Sequence, residues 1–302
     1  MGLCDGRVVI VTGGGRGIGR GEALAFAREG ASVVVNDIGA ARDGTGEDLT
    51  PAKEVAEEIN DLGGLAIANT DDISDYEGAG RVVQAAIDHF GGLDVVVNNA
   101  GIIRDRMLVN MSIDEWDAVI RVHLRGTFCV TRHAASYWRD RSKAGDDVDA
   151  RIINTSSSSG IYGAVGQSNY GAAKAGIAAF TVISAMELAR YGVTANAIAP
   201  FAKTRMTEDL TYLPEGDGAL DPIDPAHAAP LVVWLGSTQS RAVTGRVFNI
   251  HGGELNIAEG WVAGPSEKRE SAWDASEFSE IIPRLLADAR PNSDASGQPL
   301  YS

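Results

Sequence analysis

Cysteine, aromatic residues and basic charge are all scarce in this chain of 302 residues. Its 2 cysteines, Cys4 and Cys129, cannot build the disulfide framework of a small secreted domain, and they read as free thiols in a reducing cytosol. Against 41 Asp and Glu stand only 26 Lys and Arg, a net charge of −15. That balance excludes a protein whose main task is to neutralise a nucleic-acid backbone, and any anionic ligand has to be met by local groups. The histidines, at 89, 123, 133, 227 and 251, lack metal-ligand spacing, so no metal is expected. No uninterrupted apolar run reaches the roughly 18 residues of a bilayer span, and the opening MGLCDGRVVI has no cationic stretch followed by an apolar one. Gly6 stands where a myristoylation signal needs Ser or Thr, and the final LYS is not the peroxisomal SKL. Together these absences predict a cytoplasmic protein with neither a membrane nor a nucleic acid as partner.

What the chain does hold is apolar residues, 44% of the total. Many fall in short β-branched runs: RVVIV (7–11), SVVVN (32–36), LAIAN (65–69), LDVVV (93–97), RIINT (151–155), VTANAIA (193–199) and RVFNI (246–250). Segments of helical length and pattern separate them. Runs apolar on both faces that alternate with helices are what a parallel sheet covered on both sides requires. The expectation is therefore an α/β, doubly wound, seven-stranded parallel sheet of Rossmann type, forming one domain over residues 1–253. Beyond HGG (251–253) the composition shifts to Trp, Glu, Ser and Gly, a helix is predicted over 278–290, and a polar tail follows. Residues 254–302 read as a C-terminal helical appendage with a flexible end. The irregular stretch 38–51 after the second strand is longer than the usual connection in such folds.

The first strand runs directly into TGGGRGIGRG (12–21), with Gly13, Gly17 and Gly19 spaced GxxxGxG around Arg16 and Ile18. Small residues are needed there so that backbone N–H groups can approach a pyrophosphate at the following helix N-terminus. Asp37 ends the second strand, where an acid accepts hydrogen bonds from the ribose hydroxyls of NAD and repels the 2′-phosphate of NADP. Arg16 argues the other way, since a guanidinium in the loop could pair with that phosphate. Position favours Asp37, and NAD is the expected cofactor. Asp72 and Ile73 after the third strand, and Asn99 in NNAG (98–101) after the fourth, lie at the carboxyl edge where open α/β sheets bind ligands.

In QSNYGAAK (167–174), Tyr170 and Lys174 are four places apart and share a helix face. Ser157 ends the fifth strand, 13 residues before Tyr170. The TGGGRGIG loop, the NNAG turn, Ser157, the YGAAK pair and IAP (198–200) together resemble the short-chain dehydrogenase/reductase family. That resemblance implies hydride transfer with Ser157, Tyr170 and Lys174 as catalytic residues, Tyr170 and Lys174 also meeting the cofactor. The chemistry agrees. Oxidising a secondary alcohol requires a base within hydrogen-bond reach of the hydroxyl, and a nearby ammonium favours the phenolate. Ser157 would steady charge on the reacting oxygen.

Many family members carry Asn in VNLxGTF as a fourth catalytic residue, but this chain reads VHLRGTF (122–128), with His123 in its place. Either the main-chain carbonyl of His123 or its imidazole could serve the proton relay. Within the family, VVVNDIG and its long loop, NNAGIIRDRM, VHLRGTF, SSSGIYGAVGQSNY and APFAKTRMT resemble the (3R)-hydroxyacyl-CoA dehydrogenase part of peroxisomal multifunctional enzymes of type 2, here as a stand-alone relative. The resemblance implies oxidation of 3-hydroxyacyl-CoA thioesters, bulky or sterol-derived chains among them, and a homodimer or homotetramer packed through helices in 112–139 and 168–190. It also gives Pro200 and Thr204 as nicotinamide contacts, although Phe201 replaces a frequent glycine. Arg104, Arg106 and Arg205 are candidates to meet CoA phosphates. The alternatives are a steroid or other secondary-alcohol dehydrogenase and, in another class, a non-catalytic dinucleotide-sensing protein.

Overall fold

The computed structural model describes residues 2–46, 48–200, 224–294 and 296–300. Each of the seven predicted runs forms a strand within two residues of its expected limits: β1 Val8–Thr12, β2 Ser32–Asn36, β3 Leu65–Asn69, β4 Val95–Asn98, β5 Ala150–Thr155, β6 Val193–Pro200 and β7 Val247–His251. All seven are parallel, in the order β3-β2-β1-β4-β5-β6-β7. The winding direction reverses between β1 and β4, and the crevice at such a reversal is where open α/β sheets take their ligands.

Side chains that alternate along each strand feed two cores. Val9, Val11, Val33, Val35, Val95 and Val97 point to one face and pack with α1 (Gly17–Arg28), α2 (Thr50–Asp61) and α8 (Ala229–Gly236). Ile10, Val34, Val96 and Ile152 point to the other, against α3 (Tyr76–Phe90) and α5 (Gly126–Ala144). Burial on both sides is why these runs carry no polar alternation.

The sheet differs from the expected seven strands in having an eighth. β8 (Glu254–Ile257) turns back from β7 and pairs with it antiparallel, Phe248 opposite Ile257. Its residues are all exposed, so nothing in their hydropathy marks a strand; a tight turn at Gly252 and Gly253 brings them to an edge that was open. The predicted helix appears as α9 (Phe278–Asp288), of which Ile281 alone is buried. Beyond it, the chain returns to the Tyr162 ring: a Cβ on Gly297 would lie 3.1 Å from that ring.

Helix α4 (Ile113–Ile120) passes into α5 through a π-helical turn, Arg121–Arg125. Short α6 (Ser158–Ile161) leads to α7 (Ser168–Leu188). With its final turn, the segment Ser168–Tyr191 is long and apolar enough to cross a membrane by length and composition. In this fold it covers β5 and β6 and buries Asn169, Lys174 and Thr181, the polar positions that a site would need.

Candidate active site

The glycine loop meets the geometry a dinucleotide needs. Gly13 and Gly17 take left-handed φ values of 64° and 53°, and a Cβ on Gly19 would sit 2.2 Å from the Gly13 carbonyl oxygen. Asn99 holds the loop from the neighbouring strand, donating from Nδ2 to the carbonyls of Thr12 (3.1 Å) and Gly13 (3.2 Å). Ile18 packs on the core beneath. Helix α1 begins with Arg16 at its N-cap, with no side-chain cap and no acid in the first turn. Its leading N–H groups therefore have no side-chain partner of their own, and an anion fits there.

Asp37 lies against this loop. Its carboxylate accepts from Gly15 N (2.9 Å) and Gly39 N (2.7 Å), so one acid joins the end of β2 to the glycine turn. Arg16 has a partner that the sequence did not suggest: its Nη2 pairs with Asp48 Oδ2 at 3.0 Å. The long loop after β2 thus curls back to engage the arginine that could have met a 2′-phosphate. The same loop reaches the substrate side. Ile103 N donates to Arg42 O (3.0 Å) and Arg104 Nε to Asp43 O (2.7 Å).

Asp72 turns its carboxylate to its own loop, accepting from Ser74 N at 2.8 Å, and Ile73 is buried in the second core against Gly126. Asn98, by contrast, belongs to a buried ladder across the sheet. Its Nδ2 donates to Asn154 Oδ1 (2.8 Å) and Thr131 Oγ1 (3.0 Å), and Asn154 Nδ2 donates to Thr181 Oγ1 (2.8 Å). This ladder ties β4 and β5 to α7 under the site. Sequence reasoning missed it, though an Asn at or next to the end of two adjacent apolar strands, VVVN and IINT, was a usable signal.

Ser157, Tyr170 and Lys174 come together. Ser157 starts α6 in extended backbone and is nearly buried, while Tyr170 and Lys174 occupy the first turns of α7. Burial pushes the Tyr170 phenol up to about 12, partly opposed by its hydrogen bond with Ser157, with the Asp105 carboxylate adding to the rise. Lys174 is buried; its Nζ donates to Thr155 O at 2.6 Å and lies 5.5 Å from the Tyr170 ring centroid. Desolvation brings the ammonium down to about 7. In the protein alone burial governs both groups and favours their neutral forms, the phenol raised and the ammonium lowered.

His123 sits in the π turn, with its ring edge-on to Tyr170 at 5.2 Å between centroids. Its Nε2 lies 2.7 Å from Ile102 O and 3.0 Å from Ile102 N, and burial with the Lys174 charge nearby pulls it down to about 3. A neutral imidazole in this place holds the strand-end segment after NNAG. Gly101 makes room for it, because a Cβ there would fall 2.2 Å from His123 Cε1.

Of the arginines expected to meet phosphates, Arg106 pairs with Glu115 (3.0 Å) and Arg104 donates to main-chain carbonyls of the β2–α2 loop and α4. Both are engaged within the chain. Pro200 ends β6, half-buried at the sheet's carboxyl edge. Phe201, Thr204 and Arg205 lie outside the described residues. Among the described residues, no group of His, Cys, Asp and Glu could hold a metal ion.

The sequence matches the short chain dehydrogenase family over residues 7–212. Hydroxyacyl-CoA dehydrogenase ChsB1 of Mycobacterium tuberculosis is 46% identical, the alignment covering 98% of this chain and 93% of that protein. Peroxisomal multifunctional enzyme type 2 of Mus musculus is 44% identical over 85% of this chain, which spans only 32% of that enzyme. A crystal structure of a short chain dehydrogenase from Mycobacterium avium superposes with a TM-score of 0.87 at 54% identity, covering 96% of this chain and 98% of that one. The glycine loop at the β1–β4 crevice, the Ser157–Tyr170–Lys174 cluster and these likenesses agree: the chain belongs to the short-chain dehydrogenase family.

Proposed function

We propose that this protein oxidises the 3-hydroxy group of acyl-CoA thioesters, bulky or sterol-derived chains included, with NAD as hydride acceptor. The observation that carries the reading is the intact Ser157–Tyr170–Lys174 cluster in a chain 46% identical, over nearly its whole length, to a hydroxyacyl-CoA dehydrogenase. The glycine loop and Asp37 would hold the cofactor, whose oxidised nicotinamide would supply the hydride acceptor. Tyr170, as phenolate, takes the hydroxyl proton. Ser157 donates a hydrogen bond to the reacting oxygen, and Lys174 holds positive charge beneath the phenol when protonated. His123 acts by fixing Ile102 rather than by moving a proton, since its imidazole stays neutral through the working range. Alcohol is thereby converted to ketone with one proton released to the protein and two electrons carried off as hydride.

The reading includes a preference for NAD over NADP, a cytoplasmic location and a homo-oligomer built on α5 and α7. Supporting the last, Phe128, Ile183 and Met186 are exposed on those helices beside a groove of about 310 Å³. It also keeps residues 254–302 as an appendage that helps close the substrate site. A substrate panel tests the proposal: NAD reduction should be faster with (3R)-hydroxyacyl-CoA than with the matching free hydroxy acid or a steroid alcohol. A steroid alcohol with higher kcat/KM than every CoA thioester would replace it with the steroid dehydrogenase reading. No turnover of any alcohol would leave the dinucleotide-sensing one.

A further inference from the structure

We infer that Asp105 is a positioning residue for the reaction: through Gln167 it anchors Ser159, whose main-chain N–H holds Ser157, and it places a carboxylate beside the Tyr170 phenol. The inference rests on the dehydrogenase reading of Ser157 and Tyr170.

The contacts form a continuous chain. Gln167 Nε2 donates to Asp105 Oδ2 at 2.8 Å, Ser159 Oγ donates to Gln167 Oε1 at 2.7 Å, and Ser159 N donates to Ser157 Oγ at 3.2 Å. An ionised carboxylate only accepts hydrogen bonds. It therefore decides which end of the Gln167 amide faces it, a choice that amide shape alone leaves open. With the NH₂ end turned to Asp105, the amide oxygen faces Ser159 and the Ser159 hydroxyl must be the donor. Anchored by that hydroxyl, Ser159 keeps its main-chain N–H, which can only donate, against a lone pair of Ser157 Oγ. The Ser157 proton is left pointing forward, to the Tyr170 oxygen or to the oxygen of a bound alcohol.

The backbone makes this chain rigid. Arg106 N donates to Gly166 O (2.8 Å), and Asn169 Nδ2 donates to Arg104 O (2.9 Å) and Glu115 O (3.2 Å), while Asn169 Oδ1 accepts from Tyr170 N (2.7 Å). The segment after β4 is thus zipped onto the first turn of α7, and Asp105 cannot shift without moving the start of the catalytic helix. Four elements face the phenol. Lys174 lies on its own helix, the neutral ring of His123 comes from the π turn, Ser157 from the end of β5 and Asp105 from the segment after β4. Burial raises the Asp105 carboxyl itself, opposed by its hydrogen bond with Gln167 and by Arg42 from the β2–α2 loop. Among these groups Asp105 brings the negative charge, and it raises the phenol while Ser157 lowers it.

Two variants separate the charge from the chain. Asp105→Asn keeps the size of the side chain but removes the charge and lets the Gln167 amide turn over. Gln167→Leu keeps the charge but breaks the chain. Ultraviolet difference titration against Tyr170→Phe isolates this tyrosine from the other six of the seven and needs no turnover. The expected results are ionisation of Tyr170 at lower pH in Asp105→Asn than in wild type, and little change in Gln167→Leu. In the steady state each variant should lose about tenfold in kcat with KM for NAD unchanged, and the double variant should lose no more than the worse single, because both act through one chain. An unshifted tyrosine titration in Asp105→Asn, or losses that multiply in the double variant, would overturn the inference. Should wild type oxidise no 3-hydroxyacyl-CoA, the proposed function fails instead, and the tyrosine titration still decides the role of Asp105.

Discussion

Replacing Asp37 tests the cofactor assignment most quantitatively. The carboxylate is pinned by two main-chain donors, Gly15 N and Gly39 N, so it cannot swing away from an incoming phosphate. Two unit charges about 4 Å apart at an effective dielectric near 20 repel by about 4 kcal/mol, roughly 1,000-fold in affinity. The site is partly open, and salt at about 0.15 M screens such interactions, so the expected preference of wild type for NAD is about 10- to 100-fold. Asp37→Ala should weaken NAD, because ribose contacts are lost and two N–H donors are left to water, and should strengthen NADP. The structure adds a second step. Arg16 remains paired with Asp48 at 3.0 Å, so Asp37→Ala alone should bring the two cofactors only near parity. Asp48→Asn added to it releases the guanidinium for the 2′-phosphate and should raise NADP affinity by a further several-fold. Calorimetric titration of both dinucleotides into wild type and the two variants reads each step. Equal affinities in wild type, or no gain for NADP in either variant, would refute the reasoning.

Tyr170→Phe should bind NAD like wild type but lose turnover by at least about 100-fold, since only the ionisable oxygen is removed; in wild type, oxidation should climb with pH as the phenolate forms, and steady-state rates across pH check both. Glu22, wholly buried on α1 with neither carboxyl oxygen hydrogen-bonded, is raised to about 8 by desolvation. The unfolded chain ionises there near 4.5, so the fold binds the extra proton and stability falls as pH rises from about 4.5 to 8, by about 5 kcal/mol. Glu22→Gln should flatten that slope in urea denaturation, and an identical slope in both proteins would refute it. Deleting 275–302 should raise KM for acyl substrates while leaving NAD affinity unchanged, as measured by kinetics and titration. An unchanged KM would reduce the segment to a packing element.

Seven strands and the glycine loop were legible because each is written in one short stretch: β-branched runs apolar on both sides, and glycines where side chains would collide. Ser157, Tyr170 and Lys174 were legible through the family resemblance that their motifs carry together, since the Tyr–Lys spacing alone fits an ordinary surface helix. The rest depends on partners distant in sequence. β8 has exposed residues only, and an edge strand needs no hydrophobic period to pair. Nothing in GTGEDL suggests that Asp48 returns to Arg16, 32 residues earlier. Asp105 and Gln167 are 62 residues apart, and each reads alone as a solvated loop residue. The rise of the Tyr170 phenol was hidden for a related reason: sequence displays the neighbouring Lys174 charge but not the burial that pushes the phenol up.

The π turn between α4 and α5 gives this chain an uneven tolerance to changes of length. An α-helix advances about 100° per residue, and the wider π turn at Arg121–Arg125 takes up one extra residue without turning one half of the rod against the other. The first half directs Val119 to Ile102 and Ala173, and the second directs Cys129, Val130, Ala134 and Trp138 to the sheet. Removing a single residue from 121–125 would restore plain α-helix with both halves still facing their partners, whereas removing one elsewhere in the rod would turn one half away by about 100°. Natural variation should therefore admit loss of one residue within 121–125 while preserving length in the rest of the rod, with other insertions and deletions displaced to the loops on either side.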